Sequence, residues 1–167
     1  IFYDVDCFGV RGIDVVSGKN VGLAIGVNRN GLAMANTHVK TTDTPSFHVL
    51  SEQILMFARD AEDGLGMVVE SQQKGRMYQW GNVILADKDS LLAIEIADGK
   101  HTLERSKRKV LRSSHHIMLD TKDDLGEDSK NDFSMSMEDS EARLNRGYEL
   151  LRNISDVSDV FALLGDH

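Results

Sequence analysis

The sequence predicts a layered α+β domain of mostly antiparallel sheets with helices packed outside them. Three observations predict it. First, Gly22–Val27 and Leu32–Ala35 are almost wholly apolar and surround Asn30-Gly31, a strong hairpin signal because a two-residue turn needs positive φ at both positions. Second, Gly81–Ala86 and Leu91–Ile96 repeat that pattern around Asp87-Lys88-Asp89-Ser90. Third, the hydrophobic period between the two pairs changes from two to the helical value. Strands this apolar call for cover on both faces, and two buried sheets between two helical layers would supply it.

Each element follows in order. Ile1–Val10 has strand composition with partial alternation. Gly12 and Ser17–Asn20 punctuate the chain before the first hairpin. That hairpin is expected in the middle of a covered sheet, with Cys7, Asn36 and His38 at one end. Thr41–Ser46, which holds the only proline, is a loop. Phe47–Asp60 reads as an amphipathic helix that Ser46 can cap, and a shorter helix is expected over Leu65–Gln73, closed by Gly75. After the second strand pair, Asp98-Gly99 predicts another hairpin turn, and His101–Arg105 and Lys109–Arg112 are further strand candidates. Thr121–Glu138 is polar, acidic and aperiodic, so a mobile loop is expected. Ser140–Asn153 is helical with Leu144, Tyr148 and Leu151 on one face, and Ser140 reads as its N-cap. A last short helix carries Val157, Val160, Phe161 and Leu164.

Composition sets the outer bounds. A chain of 167 residues is expected to form one domain over 1–167, with a sizeable core. The formal net charge of −8 argues against a nucleic-acid surface, and no apolar run is long enough to span a bilayer. A single cysteine excludes an intrachain disulfide and fits a reducing cytosol, so a cytoplasmic location is expected. The sequence begins at Ile1, which suggests a trimmed or processed start.

Four pieces in order carry a resemblance: Gly26-Val27-Asn28-Arg29-Asn30-Gly31-Leu32-Ala33; Gly81–Asp87 with Ile94-Glu95; Arg112-Ser113-Ser114-His115-His116; and Ser140-Glu141-Ala142-Arg143. Together they resemble the N-terminal-nucleophile hydrolases, in the branch of acyl-coenzyme A:6-aminopenicillanate acyltransferase, with choloylglycine hydrolase and penicillin V acylase as relatives. The likeness covers roughly Cys7 to Leu164. It implies a four-layer αββα fold and cysteine catalysis without a cofactor, on a small-molecule amide or acyl-thioester substrate. A homo-oligomer is expected.

The resemblance implies that Cys7 is the nucleophile and the first residue of the mature chain, so that residues 1–6 form a leader. The chemistry is sound. A thiol near pKa 8.5 is partly thiolate at neutral pH, and a freed α-amine near 7.7–8 can shuttle the proton. The oxyanion needs donors, for which Asn36 and Asn82 are the candidates. Arg143 matches an arginine that holds polar groups near the nucleophile. The family's Gly-Arg-Asn-x-Asp stretch corresponds here to Gly18-Lys19-Asn20-Val21-Gly22, so lysine replaces arginine and glycine replaces aspartate. Arg11 and Asp14 could take over those roles. Ser113-Ser114 stands where the family has Thr-Asn, which makes Ser114 and the neighbouring His115 candidate substrate contacts.

Plainer readings stand beside these. A lone cysteine is often a buried apolar residue, and Asn36 and Asn82 can be locally satisfied strand-end residues. A metal site built from His38, His48, His115 and His116 is disfavoured, because adjacent strand residues face opposite ways. The basic run Arg105, Lys107, Arg108, Lys109 and Arg112 could meet a carboxylate or phosphate of an acyl donor, but a solvated strand edge is the favoured reading. The alternative to an enzyme is a catalytically silent protein of the same fold that binds a small ligand or partner. The departures at Lys19, Gly22 and Ser114 favour it.

Overall fold

A computed structural model describes residues 1–122 and 137–164. Seven antiparallel strands form one sheet in chain order: β1 (Phe2–Tyr3), β2 (Cys7–Ile13), β3 (Asn20–Asn28), β4 (Ala33–Lys40), β5 (Trp80–Ala86), β6 (Leu91–Ala97) and β7 (Lys100–Ser106). Helices α1 (His48–Phe57) and α2 (Ala61–Gln73) lie between β4 and β5, and α3 (Met137–Leu151) and α4 (Val157–Leu164) follow β7. The α+β class and the antiparallel sheet are as the sequence predicts. Among the described residues, the strands and the first two helices supply one sheet and one helical layer.

Alternation, interrupted by a register shift beside Leu23 that turns it inward although Ile25 faces out, decides which side chains meet the helices. Leu23, Met34, Val83, Leu85, Leu92, Ile94 and Ile96 point to one face and pack with Phe47, Leu50, Ile54, Leu55 and Val68. Burying each large apolar side chain stabilises the fold by about 1.5–3 kcal/mol.

Local chemistry fixes the helix ends, with two departures from the sequence reading. α1 is capped by Phe47 without a side-chain hydrogen bond, and Ser46 Oγ only accepts from the His48 N–H at 3.3 Å. α2 begins four residues before Leu65 (65 − 61), because the Asp60 carboxylate accepts the Asp63 N–H at 2.8 Å. Gly75, at φ 72°, closes that helix as expected.

The hairpins differ as well. Asp98-Gly99 is a two-residue turn with φ of 46° and 70°. Asn30-Gly31 belongs instead to a longer loop in which Asn28 N–H bonds to Leu32 O at 2.9 Å, and only Gly31 has positive φ. The strand expected at Lys109–Arg112 is absent. That segment leaves the sheet and folds back over its outer face. α3 starts at Met137, so Ser140 lies in its first turn and is not its cap. Most of the loop expected over 121–138 lies outside the described residues.

The outer face is covered unevenly. Residues 111–121 and α3 lie over the β5–β6 end, where Asn82, Glu95 and His115 are buried. Over β2 and β3, Phe8, Val10, Ile25 and Val27 are 42–50% exposed. Cover of the first hairpin on both faces is therefore not met among the described residues. None of the described helices is long and apolar enough to cross a membrane.

Candidate functional site

Cys7 is the first residue of β2 and pairs with Asn28. Strand alternation turns its side chain toward α1, where it joins the core at 4% exposure. The residues before it are tied down. Asp4 N–H donates to the Cys7 carbonyl at 2.9 Å, and Arg29 N–H donates to the Asp6 carbonyl at 2.9 Å. Burial, followed by the charges of Asp4, Glu52 and Asp6, raises the thiol pKa, and Arg11 opposes them. With residues 1–6 attached, the sulfur is held as a thiol.

The neighbouring candidates have structural partners. Arg11 pairs with Glu52 at 3.0 Å and lies 4.1 Å above the Phe2 ring. Asp14 accepts Ser17 Oγ at 2.5 Å and Gln79 Nε2 at 3.3 Å, which lowers its pKa, the Ser17 bond most. Lys19 is exposed in the same turn. Gly22 explains one departure from the family pattern. Its φ is +56°, and a Cβ there would stand 2.0 Å from the His48 carbonyl oxygen. No side chain fits where the resemblance would place an aspartate.

Asn36 shares the inner face with Cys7 but lies further along it. The pairing of Ile25 with Ala35 sets Asn36 opposite Ala24, whereas Cys7 is opposite Asn28, four residues away (28 − 24). At about 3.3 Å per residue the offset is ~13 Å. Asn36 Nδ2 donates to the Leu23 carbonyl at 3.0 Å and to Ser51 Oγ at 2.9 Å. His38 lies further still, its Nε2 3.2 Å from Thr41 Oγ1. The expectation that Cys7, Asn36 and His38 share one end of the hairpin is thus corrected. The register spreads them along it.

The second grouping occupies the outer face. Asn82 is 1% exposed, and its Nδ2 lies within reach of Thr37 Oγ1 at 3.0 Å and of the Ser113 and His115 carbonyls at 2.9 and 3.1 Å. It clamps the 113–115 segment to the sheet. Beside it, Glu95 accepts the backbone N–H groups of Ile117, Met118 and Leu119 at 2.8–3.1 Å. Arg112 Nε is 3.0 Å from Glu95 Oε1, close enough to pair although not aligned for a good hydrogen bond. Burial pushes the Glu95 carboxyl up, but the three N–H donors and Arg112 outweigh it and hold the pKa down.

This clamp positions His115. Its Nδ1 is 2.7 Å from Ser140 Oγ, which is 3.0 Å from Ser113 Oγ. Burial leads in lowering its pKa, so the ring is neutral at pH 7. His115 lines a concavity of about 270 Å³ with Lys122, Glu141 and Asn145. Arg143 is exposed on α3, and its charge reaches His115. Ser114 is half-buried beside the clamp. His116 belongs to a different environment, with Nδ1 3.1 Å from Thr121 Oγ1 and Nε2 3.3 Å from the Gly81 carbonyl.

The structure therefore gathers Asn82, Ser114, His115 and Arg143 on one side of the sheet, and Cys7, Arg11 and Asn36 on the other. The sequence reading missed the Glu95–Arg112 pair. Its signal was a lone acid within the apolar run Leu91–Ala97.

No family model matches the sequence, and no curated protein does. Solved structures do. The chain is similar to penicillin V acylase from Agrobacterium tumefaciens, with a TM-score of 0.54 and 15% identity over 86% of this chain and 51% of that one. The chain spans about half the length of that structure. The likeness is one of fold, and that fold is of the N-terminal-nucleophile hydrolase type.

Proposed function

We propose that this chain belongs to a cysteine-nucleophile amide hydrolase or acyltransferase, activated by cleavage of the Asp6–Cys7 bond. The observation that supports it is the fold likeness to an amide-cleaving acylase, joined to the position of Cys7 as the opening residue of a sheet strand. Cleavage would free an α-amine at Cys7 that titrates near pH 7.7–8 and can act as general base and acid. It would also separate from the catalytic chain Asp4 and Asp6, two of the carboxylates that keep the thiol protonated. The amine would take the thiol proton as sulfur attacks a linear amide or acyl-thioester carbonyl. Collapse would expel the protonated amine or thiol and leave a thioester on Cys7. Water or an amine would then accept the acyl group.

In this reading Asn36, on the same face as Cys7, donates to the oxyanion, and Arg11, Asp14 and Lys19 are the substrate contacts proposed with it. Asn82, Arg143, Ser114 and His115 lie across the sheet from Cys7, so the oxyanion and substrate roles that the resemblance implies for them are not part of this reading. The chemistry needs no cofactor, and the location is cytoplasmic. Because the Asn36 amide is committed to the Leu23 carbonyl and Ser51 Oγ, activation requires it to rearrange once residues 1–6 are released.

A second reading, a silent protein of this fold that binds a ligand or partner, is favoured by the burial of Cys7 and its ~13 Å offset from Asn36. Intact mass with N-terminal sequencing separates the two. Under the first reading the parent chain begins at Cys7 after incubation, while Cys7→Ala keeps residues 1–6. Retention of those residues by both proteins supports the second.

A further inference from the structure

We propose that the main-chain N–H of Arg29 is the oxyanion donor for self-cleavage of the Asp6–Cys7 bond. The inference rests on the cysteine-nucleophile reading and supplies a group that the reading leaves out. The carbonyl to be cleaved belongs to Asp6, and its oxygen accepts the Arg29 N–H at 2.9 Å. That separation is the one at which a fixed donor meets a developing oxyanion.

Turn chemistry puts the donor there. Asn28 ends β3, and its buried side chain organises the loop that follows. Its Oδ1 accepts the N–H groups of Asn30 and Leu32 at 3.0 and 3.1 Å, and its Nδ2 donates to the Leu55 and Ala58 carbonyls at 3.1 and 2.8 Å. Asn28 N–H bonds to the Leu32 carbonyl at 2.9 Å, and Gly31 N–H bonds to the Asn28 carbonyl at 3.0 Å. Every N–H from 28 to 32 except that of Arg29 is thus used inside the loop. Arg29 N–H points across to Asp6, which continues the register set by Cys7 opposite Asn28. A donor on a loop anchored to α1 needs little reorganisation as charge develops.

The bond itself is held from both sides. Val5 and Asp6 connect β1 to β2, and Asp4 N–H donates to the Cys7 carbonyl at 2.9 Å. The 6–7 peptide therefore lies in the plane of the sheet, and the Cys7 side chain stands roughly perpendicular to it. Sulfur can approach the Asp6 carbon from the face of the peptide while the oxygen stays against Arg29 N–H. As the S–C bond forms, the carbonyl electron pair moves onto that oxygen. It returns as the C–N bond breaks, and the thiol proton ends on the departing Cys7 nitrogen. Water then cleaves the thioester, which frees the Asp6 carboxyl group and restores the thiol. The Arg29 guanidinium has a lesser part. Its Nη1 is 2.8 Å from Asp6 Oδ1, but both side chains are open to solvent, where such a pair contributes little.

A time course of intact mass on the parent chain, Arg29→Pro and Arg29→Ala tests the proposal. Proline removes the N–H and suits the position. Arg29 is the second residue of the turn closed by Gly31 N–H, and neither it nor Asn30 has positive φ, the arrangement in which proline is favoured. Arg29→Pro should slow the appearance of chains beginning at Cys7 about 100–1,000-fold. Arg29→Ala keeps the N–H and should cleave within about threefold of the parent rate. Circular dichroism and urea unfolding check that each variant is folded. Lactic acid at position 29, introduced by stop-codon suppression, is the ester counterpart of Arg29→Ala. It removes the N–H without a ring, should slow cleavage as proline does, and decides the outcome if Arg29→Pro unfolds. A folded proline or ester variant that cleaves at the parent rate overturns the proposal and leaves the reading of Cys7 intact. An equal loss in Arg29→Ala overturns it too, since the guanidinium would then be the active group. A parent chain that keeps residues 1–6 overturns the cysteine-nucleophile reading, and the proposal falls with it.

Discussion

The two ends of the sheet are built from similar apolar strands but carry different surroundings. β5 and β6 are enclosed on both faces, by α1 and α2 on the inside and by 111–121 with α3 on the outside. β2 and β3 have the inner cover only, and their outer side chains stay 42–50% exposed. At the enclosed end the outer cover is held by polar groups: Asn82 clamps 113–115, and Glu95 gathers three N–H groups and Arg112. The comparison teaches that apolar composition makes a strand suited to burial, whereas specific polar anchors decide which segment does the burying.

The largest way to break the difference is Glu95→Ala. It leaves Arg112 without its innermost carboxylate and three backbone donors without an acceptor. The expected loss is about 3–5 kcal/mol in urea unfolding. A loss under about 1 kcal/mol would mean that the anchor is dispensable. Gly22→Ala comes next. Its methyl group meets the His48 backbone at 2.0 Å in a left-handed conformation, so about 2–4 kcal/mol should be lost and α1 displaced. Amide hydrogen exchange in α1 checks the displacement.

A pH series sharpens the contrast at an intermediate size. Burial leads in lowering the pKa of His48, His115 and His116, two of which serve the enclosed end. Unfolded histidines titrate near 6.5, so the unfolded chain binds protons first. Stability should be full above about pH 6.5 and fall as the pH drops below it. Protection of 113–121 should be lost before that of β2–β3. Equal loss in both regions would deny that these rings matter locally. The smallest effect is expected from Ile25→Ala. Unfolding of the monomer should change by under about 1 kcal/mol, against about 2–5 kcal/mol for Ile94→Ala on β6, which is fully buried.

Much of the fold was legible before any coordinates. Both helices after the first hairpin, the Asp98-Gly99 turn and the β5–β6 pair follow from short-range patterns that a sequence displays directly. The Asn30-Gly31 dipeptide predicts a two-residue turn, but it does not show that Asn28 pairs with Leu32 and brings Arg29 into a longer loop. Ser46 and Ser140 looked like caps because the residue type was right, but the helices started elsewhere. The candidate site was legible only as a set of residue types. Nothing local showed that Cys7 would face the helices while Asn82 faced away from them.

The sequence by itself determined an antiparallel α+β sheet, the breaks between its elements and the residues able to carry chemistry. These depend on period, turn geometry and propensity, which act over a few neighbours. Only the tertiary structure decided that Gly22 must lack a side chain, that the Asn82 amide holds the 113–115 segment, and that one apolar face stays open. Each depends on strand register and on what packs across the sheet. A shift of one residue reverses every side chain's face, so no local pattern could have fixed them.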